Sequence, residues 1–130
     1  MAKKDIPDVV IEAMHEEDFL RSQMTVTMHD YQNAVKRLVE LASNDTGGSS
    51  AAAQALLSCY NSRNWQLDVM ELGSLDYRYI QDAFIVMRGW LFLHEYPHNV
   101  IDNGEAIFAD LEEQWQSLHV EKRYAKHYRK

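Results

Sequence analysis

Residues 76–97 read DYRYIQDAFIVMRGWLFLHEYP, and this stretch decides the fold class. Asp76 stands where a helix cap is needed, Pro97 ends the run, and Ile80, Phe84, Met87 and Leu91 recur at helical spacing. Val86, Trp90 and Leu93 widen the apolar arc onto adjacent faces. A helix apolar over so wide an arc is expected at the centre of its fold. No segment alternates apolar and polar residues between turn signals, so no strand is expected.

Upstream, Thr27 is an N-cap with Asp30 three positions on, an imperfect capping box. Tyr31, Ala34, Val35, Leu38, Leu41 and Ala42 then mark one helix face. Ser43-Asn44-Asp45-Thr46-Gly47-Gly48 stops that helix, since glycine accepts the left-handed conformation found at helix ends. Ser49 or Ser50 is expected to cap the next helix, striped by Ala52, Ala55, Leu56, Cys59 and Tyr60. A polar break at 61–64 leads to a short helical turn from Asp68 to Leu72, closed by Gly73. Downstream, Asp102 and Glu105 form an Asp-x-x-Glu cap for a last helix that buries Ile107, Phe108, Leu111, Trp115 and Leu118. The expected fold is all-α, a single compact domain of four to five helices.

With 130 residues and 46% hydrophobic content, one globular domain is expected. The layout is an amino-terminal extension at 1–26, a helical domain at 27–121 and a basic tail at 122–130. The extension carries Pro7 at a first helical turn, a stripe of Ile6, Val10, Ala13 and Met14, and six acids (Asp5, Asp8, Glu12, Glu16, Glu17, Asp18). It reads as a short amphipathic helix or a segment ordered on binding. One cysteine, Cys59, excludes an internal disulfide framework. No apolar run reaches the roughly 18 residues of a spanning helix, and no leader pattern is present, so a cytoplasmic protein without membrane contact is expected.

Charge is unevenly spread. Lys122, Arg123, Lys126, Arg129 and Lys130 fall in the last nine positions, which contain no acid. The other 121 residues hold all 20 acids and eight bases, a balance of −12 within a chain total of −7. Such a body repels phosphate backbones, which makes nucleic acid an unlikely main partner and a basic protein surface a natural one. Asp102, Glu105, Asp110, Glu112 and Glu113, with Lys122, Arg123 and Lys126, are the candidate partner-binding residues. The same sequence of acids followed by bases also suits the macrodipole of one continuous last helix. Neither 1–22 nor 122–130 is expected to be needed for folding.

Two motifs carry possible chemistry. His94-Glu95-Tyr96-Pro97-His98 matches the H-E-x-x-H pattern, in which two histidines one helical turn apart ligate zinc and the glutamate is the general base. Pro97 between the histidines breaks the helix that the pattern requires, so no metal and no cofactor are expected. Asp45-Thr46-Gly47 matches the aspartic-protease triplet, but it occurs once and lies between helices. Asp45, Thr46, Gly47, Gly48 and Ser49 are therefore expected to form a structural turn, with Asp45 and Thr46 bonding to its backbone. Cys59, on a face with Ala55 and Leu56, reads as a small buried hydrophobe.

The leucine-bearing helix at 38–42, the Asp-Thr-Gly-x-Ser turn at 45–49, Tyr60-Asn61, the segment 67–75 and Tyr96-Pro97 together resemble an uncharacterised proteobacterial domain family. That family is found on plasmids, integrative elements and prophages. The resemblance covers about 29–118 and leaves the extension and the tail as additions. It implies a mobile-element setting and carries no catalytic residues. The expected function is that of a non-enzymatic, acidic interaction protein, a monomer or homodimer. A sharper form is an inhibitor of a bacterial defence complex, such as an anti-CRISPR protein. The alternatives are a zinc-dependent hydrolase using 94–98 and a nucleic-acid-binding accessory protein using the tail.

Overall fold

Helix α2 (Met28–Ala42) starts as its sequence demands: Thr27 is extended, and its Oγ1 accepts the Asp30 N–H at 3.0 Å. Of its apolar stripe, Tyr31, Ala34, Val35, Leu38 and Ala42 are buried, and Leu41 is partly buried against the same core. The computed structural model describes residues 7–128; Asp5, Ile6, Arg129 and Lys130 lie outside the described residues, as does the side chain of Tyr128. Seven α-helices are present among them: α1 (Asp8–Met24), α2, α3 (Ser49–Tyr60), α4 (Tyr77–Arg88), α5 (Gly104–Gln114), α6 (Val120–Arg123) and α7 (Ala125–Tyr128). Short 3₁₀ turns lie at Val69–Ser74, Pro97–Asn99 and Gln116–Leu118. The fold is all-α, and helices α2 to α5 pack into one compact domain.

The central helix is α3, a correction to the expectation for 76–95. Its residues from Ser49 to Leu57 are buried except Ser50, and they include four alanines and the polar Gln54. Small side chains let α2, α4 and α5 approach α3 from several sides. In α4, by contrast, only Asp82, Ala83 and Val86 are buried, while Phe84 stays 45% exposed and Leu91, beyond its end, 58%. The wide arc has another cause. The helix continues from Arg88 into a π turn over Gly89–Leu93, whose extra residue rotates the buried face. Apolar residues before and after that turn therefore occupy different faces of one rod.

Gly89 lies in this turn because the ring of Tyr31 occupies the space a side chain would need; a Cβ there would sit 2.5 Å from the ring carbons. Tyr31 is itself buried, and its hydroxyl donates to the Glu95 carbonyl at 2.6 Å, tying α2 to the chain just beyond the π turn. One ion pair is sunk between α2 and α4. Arg37 donates from Nε and Nη2 to the two oxygens of Asp82, both at 2.8 Å, and Asp82 is fully buried. The hydrogen bonds to that carboxylate raise the Arg37 guanidinium above its ordinary value.

The turn at 45–49 is built by Ser49 and not by Asp45. Gly48, at φ +93°, is the N-cap of α3, so neither Ser49 nor Ser50 has that role. Ser49 is buried; its Oγ donates to the Leu41 carbonyl (2.8 Å) and accepts the Thr46 N–H (3.0 Å). Thr46 Oγ1 lies 3.1 Å away and supplies a further proton. Asp45 is exposed.

The last helix also needs correcting. Asn103, left-handed at φ +56°, precedes α5 without a side-chain cap bond, so the Asp102–Glu105 cap does not form. Helix α5 ends at Gln114, where Trp115 Nε1 donates to the Ala42 carbonyl (2.9 Å) and Gln114 Nε2 to the carbonyls of Ala42 and Asn44 (3.2 Å each). These bonds satisfy orphan acceptors at the end of α2. The last turn of α5 carries no base, so the basic residues do not complement its dipole. Lys122 and Arg123 lie on α6 instead, and Lys126 on α7.

Candidate functional site

The residues of the H-E-x-x-H pattern fall on three different backbone states. His94 is left-handed (φ +57°) and exposed after the π turn; Tyr96 is extended; His98 lies in the 3₁₀ turn that Pro97 begins. The two imidazoles share no helix face, which removes the geometry that makes the pattern a zinc site. His98 packs instead against Tyr60, edge-on at 4.9 Å, and against Tyr96 and Phe108. Among the described residues, no group of three or more His, Cys, Asp or Glu is placed to hold a metal ion.

The acidic candidates of α5 divide. Asp102, just ahead of α5, and Glu105 and Asp110 are exposed. Glu112 and Glu113 line a groove of about 550 Å³ that Lys122 and Glu121 of α6 close from the other side, with Trp65 and His119 in its wall. Glu112 Oε1 accepts from the Tyr60 hydroxyl at 3.3 Å. Burial first, and this carboxylate second, raises the Tyr60 phenol above its ordinary value. Lys122 Nζ donates to Gln116 Oε1 at 3.0 Å. Trp65, His119 and Glu121 were not legible as site residues, because they meet only when the chain after α5 folds back. The Val120 N–H donates to the Asn64 carbonyl at 3.0 Å and sets that return.

The basic candidates divide too. Lys126 is exposed and Lys122 sits on the groove rim, but Arg123 is turned inward. Its guanidinium donates to the Gln66 carbonyl (2.6 Å) and to Gln54 Oε1 (3.2 Å), and it lies 3.8 Å from Glu71. Gln54, buried in α3, also accepts the Asp68 N–H (2.8 Å) and donates to Ser50 Oγ (3.2 Å). Arg123 thus completes the polar network that holds the 3₁₀ turn at 69–74 against α3. The basic segment is part of the folded body at this point, and a truncation after residue 121 removes these bonds.

Helix α1 is the opposite case. None of its 17 residues is buried, although Val9, Val10, Ile11, Met14, Phe19, Leu20 and Met24 are all large and apolar. Among the described residues its ion pairs are internal: Arg21 lies 3.1 Å from Asp18 and 3.7 Å from Glu17.

A family model described as a family of unknown function matches residues 32–116, from α2 to just past α5. The chain belongs to this family, DUF7673. The DUF7673 match contains the Asp-Thr-Gly-x-Ser turn, the π turn and the Tyr-Pro segment; it leaves out α1 and the returning segment with His119, Glu121 and Arg123. No curated protein and no solved structure gives a match. Among the described residues, no helix is long and apolar enough to cross a membrane.

Within the DUF7673 region a smaller cleft of about 230 Å³ is lined by Cys59, Tyr60, Asn61, Trp90 and Tyr96. Trp90 stacks on Tyr96, with ring centroids 4.7 Å apart. Burial pushes the Cys59 thiol up from 9.0 to about 11, so it stays protonated at neutral pH and is not an activated nucleophile. Burial raises the Tyr31 phenol as well. Both groups hold their protons more tightly when folded, so the stability they supply is intact below about pH 9 and falls as pH rises through the alkaline range. Urea unfolding at stepped alkaline pH should show this decline, with a shallower slope in Cys59→Ala. An identical slope in the variant would remove the thiol from the explanation.

Proposed function

We propose that this DUF7673 protein is a non-enzymatic binding protein acting through contact with a protein partner, and that α1 is the segment the partner holds. The carrying observation is the unburied state of α1 alongside its seven large apolar side chains. A lone helix of this length is marginal in water, and exposed ion pairs add only about 0.3–0.5 kcal/mol each. Covering its apolar residues supplies the missing stabilisation, at roughly 25 cal/mol per Å². Large apolar side chains left exposed along a whole helix suit an interaction site. The acids among those residues (Asp8, Glu12, Glu16, Glu17 and Asp18) call for a basic rim on the partner.

The sharper form of this reading places the protein on a mobile element of a proteobacterium, as an inhibitor of a bacterial defence complex such as an anti-CRISPR protein. The −12 balance of residues 1–121 supports it, because carboxylates can occupy a channel that otherwise grips phosphates. The test is affinity capture from the bacterial host with the full chain and with a chain lacking residues 1–24. The shortened chain should keep its helical circular dichroism and melting temperature and lose the captured protein. Undiminished capture would place the interface elsewhere, and collapse of the fold would show that α1 is structural.

A further inference from the structure

We propose that the groove between α5 and α6 takes an arginine side chain together with a neighbouring backbone carbonyl of a basic peptide. Three carboxylates from two elements border the groove, Glu112 and Glu113 of α5 and Glu121 of α6, against one cation, Lys122. Glu113 and Glu121 are exposed and available to a visitor. Acids alone would specify no ligand. The second observation is Trp65, a groove-lining residue only 3% exposed, whose Nε1–H has no hydrogen-bond partner among the described residues. A buried donor without an acceptor is costly, about 1–3 kcal/mol, and an acceptor entering the groove relieves it.

His119 adds to the same demand. Its Nδ1 accepts the Glu121 N–H at 3.2 Å, which puts the proton of the neutral ring on Nε2, and its ring meets Trp65 edge-on at 5.3 Å. The wall therefore offers N–H donors beside carboxylates. A bare metal cation satisfies the carboxylates and leaves the indole unpaired; an anion does the reverse. A peptide carrying arginine answers both, with the planar guanidinium forked on the carboxylates and the amide carbonyl on the indole. The groove volume lies within the range of about 300–1,000 Å³ typical of ligand sites. This site is independent of α1, and either can fail with the other intact.

The experiment is a ¹H–¹⁵N titration of the full chain with acetyl-Ala-Arg-Ala-amide, following the indole N–H of Trp65. That resonance is assigned by triple-resonance methods, which spare the buried tryptophan from mutation. It should move saturably in the millimolar range. The citrulline peptide, which keeps every carbonyl and loses the charge, should bind about tenfold more weakly. Guanidinium chloride, with charge and no carbonyl, should leave the indole in place. Glu113→Gln/Glu121→Gln should weaken the arginine peptide by about tenfold with an unchanged melting temperature, since both side chains are exposed. An unmoved indole, equal binding of the citrulline peptide, or an unaffected double variant would each overturn the proposal.

Discussion

Gly104→Ala is expected to lower the melting temperature by about 10 °C or more, equivalent to roughly 3 kcal/mol. Gly104 begins α5 directly over the backbone of His98, and a Cβ there would overlap the His98 carbonyl oxygen. Neither partner can yield easily. The carbonyl belongs to the 3₁₀ turn that Pro97 starts, and α5 is anchored at its far end through Gln114 and Trp115. Gly73→Ala is the control: a Cβ there meets nothing within 4 Å, so thermal melting should be nearly unchanged. If Gly104→Ala melts like Gly73→Ala, the packing of α5 on the 97–99 turn is looser than described.

Arg37→Ala should destabilise the fold by about 3 kcal/mol, although Arg37 itself is 34% exposed on its side chain. The cost arises at Asp82, whose side chain is 1% exposed and whose two oxygens lose their charged donors together. Asp82→Asn should cost less, because it frees an arginine that can turn to water. Replacing the pair together, as Arg37→Leu/Asp82→Leu, should recover most of the loss, since no buried charge is then left alone. Chemical denaturation of the wild type, Arg37→Leu, Asp82→Leu and the double variant measures the coupling as a closed cycle. Additive effects in the double variant would show that the two residues act separately.

What the sequence made legible follows from how local each cause is. The start of α2 and its buried face were legible because the cap lies within one turn and the stripe within one amphipathic helix. The burial of α3 was hidden: a helix of Ala, Ser, Gln and Leu has a weak pattern, and its polar residues Ser49 and Gln54 look solvent-facing until their partners arrive from elsewhere. The π turn was hidden because a helix with one inserted residue reads as a helix with a wide apolar arc. At the groove, Glu112, Glu113 and Lys122 were visible as charges. Trp65 and His119 were not, since a tryptophan just after a polar break and a histidine near a basic run carry no local sign of facing each other. Arg123 was visible only as one of five bases without an acid, a candidate for partner binding, and its role as a long-range hydrogen-bond donor had no local sign.

The link between Gln54 and Arg123 spans 69 positions, and translation runs in one direction. When the ribosome has made α2, α3 and α4, the apolar contacts among them are complete, but the Gln54 side-chain oxygen still lacks one of its two donors. The nascent helices can assemble early, while the 3₁₀ turn at 69–74 gains its clasp only when the codons for α6 have been read. Synthesis that stalls between α5 and α6 would leave a collapsed body whose polar seam is open, and proteases that patrol unfinished chains would find their cut there.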